Sequence, residues 1–154
     1  MIILNDLNTF VNYFRAWADA QPAVKFFLYG GIEKGMAAAR GHDDFGYPIM
    51  WLEQPVIYSD DNGFANTNEE FYFGISVLQQ YEPGNSASYL AAQSEALSIL
   101  HDLQKKIRHD NADGRIVATV NGNKKEALSD LWIDKHTGFR LEMKIQFNAN
   151  SLLC

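Results

Sequence analysis

Apolar residues recur at spacings of three and four through Leu4, Leu7, Phe10, Val11, Phe14 and Trp17, the period of one helical face. Asn5, Asp6 and Asn8 supply cap candidates, and Gln21-Pro22 sets the end, because proline disfavours helical geometry in the residue before it. Residues 24–29 change to an aromatic and branched run stopped by Gly30-Gly31, which predicts a strand. Residues 36–40 read as one helical turn and 41–46 as loop. A second strand is predicted over 47–53, with Pro48 near its start; Pro55 then interrupts before Val56, Ile57 and Tyr58. A strand broken by proline belongs at an edge or a bend. Residues 59–68 contain Asp60, Asp61, Asn62 and Gly63 and predict a turn before a third strand over 70–78. There Phe71, Phe73, Ile75 and Val77 alternate onto one face, against Tyr72, Gly74 and Ser76 on the other. The two strands are expected to form an antiparallel hairpin.

The pattern then lengthens. Ser86 or Ser88 is expected to cap a helix running to about Ile107, with Leu90, Leu97, Leu100, Leu103 and Ile107 on one stripe. Lys105, Lys106, Arg108 and His109 complement the carboxyl end of its dipole, and residues 111–114 terminate it. Residues 115–120 predict a fourth strand, and Asn121-Gly122-Asn123 a turn. Residues 131–134 and 138–148 predict a closing hairpin across 135–137. Its second strand alternates Phe139, Leu141, Met143, Ile145 and Phe147 with Arg140, Glu142, Lys144 and Gln146. The order α-β-β-β-α-β-β predicts a single α+β domain over 1–154, with an antiparallel or mixed sheet carrying two main helices on one face.

Composition fits that picture. The 154 residues are 47% hydrophobic, 13% aromatic and 21% charged, a globular balance. A chain of this length buries roughly 68–70% of its unfolded surface, so its core needs no disulfide or metal for support. The single cysteine, Cys154, rules out an internal disulfide framework and a thiolate zinc cluster. A net charge of −6 argues against whole-molecule attraction to nucleic acid or anionic lipid. The first residues do not form a secretory signal, and no apolar run reaches the ~18–20 residues of a membrane span.

Candidate chemistry is sparse. His42, Asp43 and Asp44 could hold a divalent cation if their loop curled round it, although adjacent loop residues are more often solvated. Asp60, Asp61, Asn62 and Gly63 fail the calcium-loop pattern, since Phe64 and Ala65 stand where an oxygen ligand and glycine are required. No nucleophile elbow or phosphate-binding glycine loop occurs, and Cys154 is poorly placed for a reactive role. His42, His101, His109 and His136 have no mutual motif spacing, and Glu69-Glu70 reads as a solvated strand border. The basic stretch from Lys105 to His109 could touch phosphate, but a helix-dipole role is simpler. No catalytic residue, metal site or cofactor site is therefore assigned. Three Trp, seven Tyr and ten Phe exceed what one small sheet face needs; if Tyr72, Tyr47 or Trp51 point away from the core they are candidate interface anchors.

Residues 47–53 followed by Pro55, then the strand through Phe73-Gly74-Ile75-Ser76-Val77-Leu78, resemble small tail proteins of phages and prophages of gut Bacteroidetes-type hosts. The long helix and Thr137-Gly138-Phe139-Arg140-Leu141-Glu142 resemble the same group, and the element order is similar to tail terminator and tail completion proteins of long-tailed phages. The resemblance covers about residues 4–148. It implies a non-enzymatic virion protein, made in the bacterial cytoplasm, whose subunits form a ring, often of six, that caps the tail tube and joins it to head-completion proteins. It carries over no site residue. Residues 36–46 and 59–69 fit loops that order on docking. The alternative from the residues is a small ligand-binding or regulatory α+β domain with an aromatic pocket.

Overall fold

The computed structural model describes residues 6–31, 41–61, 63, 67–116, 123–128 and 136–148. In chain order they form α1 (Leu7–Ala20), β1 (Phe26–Tyr29), β2 (Ile49–Leu52), β3 (Val56–Asp61), β4 (Thr67–Gln80), α2 (Ser86–Ala112), β5 (Lys124–Leu128) and β6 (His136–Asn148). The architecture is α+β. The sheet runs β1-β2-β4-β6-β5, with β3 also on β4, and it is mixed because β1 lies parallel to β2 while every other pair is antiparallel.

The spine is β4 against β6, in register from Asn68 opposite Asn148 to Gln80 opposite His136. Their alternation puts Phe71, Phe73, Ile75 and Val77 beside Leu141, Met143 and Ile145 in one core cluster with α1 and α2, so both helices cover the same face. Helix α1 starts where Asp6 accepts the amide hydrogen of Thr9 at 3.0 Å, and it buries Phe10, Val11, Phe14 and Ala18. Phe10 packs on Phe14, Phe71 and Phe73 with ring centroids 5.2, 5.2 and 4.8 Å away. Burial of one such side chain contributes roughly 1.5–3 kcal/mol.

Helix α2 is capped by Asn85, which accepts from the Ser88 amide at 3.0 Å, and not by either expected serine; the Ser88 hydroxyl instead accepts from the Glu82 amide. It runs a turn beyond the predicted end, to Ala112, and stops where Gly114 takes a φ of +68°. Its buried stripe is Ala92, Ala96, Ile99, Leu100, Leu103 and Ile107; Leu90, expected in the core, is 64% exposed. The stripe passes through small residues where the helix lies close to the sheet, a position that the spacing of the leucines hides. Near its end Asp110 is buried and ties the helices together: it accepts from the Tyr13 hydroxyl at 2.7 Å and from Lys106 Nζ at 2.6 Å. Burial raises the Asp110 carboxyl, but the Lys106 and Tyr13 hydrogen bonds outweigh it and hold the group below its ordinary value. Burial, then the Asp110 carboxylate, pushes the Tyr13 hydroxyl well above its usual range.

Four strands differ from expectation. Residues 59–61, read as turn, continue β3, and β4 begins at Thr67, so the hairpin is longer and its tip shorter. His136 and Thr137, expected in a turn, are fully buried members of β6, where Thr137 accepts from Gln93 Nε2 and donates to the Leu128 carbonyl. On the side away from β4, β6 pairs with β5, whose polar Lys-Lys-Glu-Ala-Leu sequence carries no strand signal and pairs through its backbone. Arg115 and Ile116 lie in a bend after α2; the rest of the strand predicted over 115–120, the strand over 131–134 and the helical turn over 36–40 fall outside the described residues.

Candidate interaction surface

Opposite the helices, the sheet has a second face that changes along the strands. At one end Ile49 and Leu78 are fully buried under Phe26, Leu28, Phe45, Tyr47 and Leu128, a small satellite core. In the middle lies an ion-pair network. Arg140 grips Glu53 with two hydrogen bonds, Nε to Oε1 at 2.7 Å and Nη2 to Oε2 at 2.9 Å, and donates from Nη1 to Glu142 at 2.9 Å. The Glu53 bonds raise the Arg140 guanidinium further above its ordinary value. This cross-strand pair lies flat over Gly74, where an added Cβ would sit 2.5 Å from Glu53 Oε2 and 2.6 Å from Arg140 Nε. The absence of a side chain at residue 74 therefore makes the network possible.

At the far end the surface becomes apolar and open. A one-residue bulge between β2 and β3 causes this: Leu52 is opposite Ile75 and Val56 opposite Tyr72, so Glu53, Gln54 and Pro55 face only Phe73 and Gly74. The extra residue resets the alternation and places Val56 and Tyr58, with Tyr72, on the open face, leaving Ile57 on the helix-side face at the sheet margin. Val56 is 57%, Ile57 45% and Tyr58 58% exposed. Tyr58 stacks edge-on against Tyr72 with centroids 5.2 Å apart, and Lys144 reaches over the Tyr72 ring at 5.2 Å while pairing with Glu70 at 2.7 Å. Among the described residues β3 pairs with β4 alone, so its outer backbone edge has no strand partner there.

The predicted anchors separate. Tyr72 is at the surface, 37% exposed. Trp51 is half-buried and donates to the Gly30 carbonyl at 2.7 Å; Tyr47 packs between Phe45 and His136, its hydroxyl 3.4 Å from His136 Nδ1. Val56, Ile57 and Tyr58 were readable as a proline-broken edge, but their exposure depends on the bulge, which has no local signature.

The other candidates do not converge. His42 lies against the Phe26 ring at 6.0 Å, and Asp44 lines a cleft of about 330 Å³ with Arg15, Asp19 and Lys25. Among the described residues no three His, Cys, Asp or Glu side chains gather where they could hold a metal. His109 pairs with Asp113 at 3.1 Å. Glu69 accepts from Ser59, and Glu70 holds Lys144. Asp60 and Asp61 end β3 and are exposed; Asp61 accepts from the Gly63 amide at 2.7 Å. Asn62 and Cys154 lie outside the described residues. A groove of about 470 Å³ runs beside Tyr13, Trp17 and Lys106. No helix among the described residues is long and apolar enough to cross a membrane. No protein-family model matches the chain, and no curated protein matches its sequence.

Proposed function

We propose that the chain is a structural, non-catalytic protein of a tailed phage or prophage virion, a tail terminator or tail completion protein whose copies form a ring joining the tail tube to the head connector. The phage assignment rests on the strand motifs and element order given above. The observation that carries the assembly role is the β3 edge, which exposes Val56, Ile57 and Tyr58 beside an outer backbone edge without a strand partner among the described residues. An apolar edge strand of this kind is a hazard for a solitary domain and a ready contact for a protein that assembles. The rigid β4–β6 spine beneath it suits a ring body.

Light scattering over a range of concentration tests assembly: a closed six-membered ring of a 17.4 kDa chain weighs about 104 kDa. Deletion of the gene from its phage tests the role. Tails of uncontrolled length, or heads and tails left unjoined, are expected; normal infectious particles would overturn the assignment. A single metabolite that stabilises the monomer strongly would favour a ligand-binding domain instead.

A further inference from the structure

We propose that the acidic end of β3 in one copy docks into a basic groove between α2 and β5 of a second copy, a head-to-tail contact. The inference rests on the assembly reading above and names its surfaces. Asp60 and Asp61 close β3, both exposed, and among the described residues neither has an ion-pair partner. The opposite margin of the sheet belongs to β5. There a groove of about 540 Å³ is lined by His101, Gln104, Lys105 and Arg108 of α2 and by Asn123, the residue before β5. Positions 101, 105 and 108 share one helical face, so three donors point the same way. The Lys105 side chain is 80% exposed and pairs with Asp102 at 3.5 Å; among the described residues Arg108 and His101 have no ion-pair partner.

Lys105 and Arg108 set two cations side by side on a chain of net charge −6, and Asp60 and Asp61 of a second copy supply the complementary charge. The two patches lie on opposite flanks of one sheet and so cannot meet within a copy. Nor can the acidic end pair with itself across a two-fold axis, because like charges would face each other. A contact between unlike patches is heterologous, and repetition of it closes a ring or extends a filament. Docking would also carry Tyr58 and Ile57, just upstream of Asp60, towards the neighbour.

Charge reversal tests the contact by sedimentation velocity on the full chain at several salt concentrations. The wild type is expected to associate, and less so as salt rises. D60K/D61K and K105E/R108E should each weaken association about a hundredfold, since they set like charges together. The combined four-residue variant should restore it, because the complementarity is then merely inverted. D60K alone, which spares the Asp61 turn bond to Gly63, guards against local misfolding and should weaken association in the same direction. Wild-type association by both reversed variants would overturn the contact while leaving the ring reading intact. Failure of the combined variant to recover would also overturn it. A wild type that stays monomeric throughout overturns the contact, and the ring reading is then judged on the gene deletion. If K105E/R108E keeps its mass but loses binding to a short DNA duplex that the wild type binds, the groove serves phosphate and the inference fails.

Discussion

The two faces of the sheet are made by alternate residues of the same strands, yet they are held by different physics. Under the helices Phe71, Phe73, Ile75, Val77, Leu141, Met143 and Ile145 are at most 4% exposed and interlock without a polar group. On the other face the same strands place Gly74, Arg140, Glu142 and Lys144, and the contacts are ion pairs that stay partly wet. Dispersion and water exclusion stabilise the first face strongly and leave little room for change. Partly exposed ion pairs stabilise the second less, and its outermost residues stay in contact with water. The main core thus lies on the helix side, while the proposed contacts with a neighbouring copy use the outer residues of β3 and the groove beside α2.

The helix side is most sensitive at Phe10, which is fully buried among three aromatic rings. Phe10→Ala is expected to cost about 3–5 kcal/mol in urea unfolding, enough to unfold a marginal domain. Two glycines sharpen the contrast further. A Cβ at Gly138 would lie 1.8 Å from the Val77 carbonyl oxygen, so Gly138→Ala forces β4 and β6 apart and should cost about 3 kcal/mol. The three atoms nearest a Cβ at Gly74 belong to the side-chain ends of Glu53 and Arg140, which can swing towards water. Gly74→Ala should therefore cost about 1 kcal/mol. Equal losses from the two would show that the Arg140 network is as rigid as the backbone.

On the helix side the Asp110 cluster uses charge. With its carboxyl held below the ordinary value near 3.9, Asp110 contributes stability at neutral pH that disappears as pH falls through the depressed value. Asp110→Asn keeps an acceptor for Tyr13 but loses the attraction of Lys106, whose side chain is 39% exposed. A loss of about 1–2 kcal/mol at pH 7 is expected, and the gap to wild type should close below about pH 4. A gap that persists in acid would mean that shape, not charge, holds the helices.

How far these features were legible follows the same division. The strict alternation of Leu141, Met143 and Ile145 predicted β6 correctly, because one face is dry and the other wet. Helix α2 was legible in its carboxyl half, where Leu100, Leu103 and Ile107 are buried as expected, but not near its start, where Ala92 and Ala96 are buried and Leu90 is exposed. Strand β5 carries no apolar alternation, as Lys124 and Glu126 pair with each other on its surface at 2.8 Å. The parallel placement of β1 was not legible either, because its four residues are all half-buried and show no alternation. On the candidate surface, Pro55 announced an edge, and the alternation of β4 placed Tyr72 off the core face. The exposure of Tyr58 depends on the count of residues between Leu52 and Val56 relative to β4, a register property that only pairing defines.

The smallest stability effect should occur on the exposed edge itself. Tyr58 is 58% exposed, and its described ring contact is the edge-on stack with Tyr72. Its loss removes one partly solvated aromatic pair and no core volume, so Tyr58→Ala is expected to change unfolding free energy by no more than about 0.5 kcal/mol. If the bulge turns Tyr58 outward for a neighbouring copy, the same substitution should weaken self-association at least tenfold by sedimentation, because exposed tyrosines at interface centres often dominate binding. Ile57→Lys extends the test to the opposite side of the same edge, where a charge blunts strand pairing. Stability and association would then respond to different residues of a single hairpin. A Tyr58→Ala protein that loses several kcal/mol in stability would instead make the open face part of the core, and the separation between the two faces would fail.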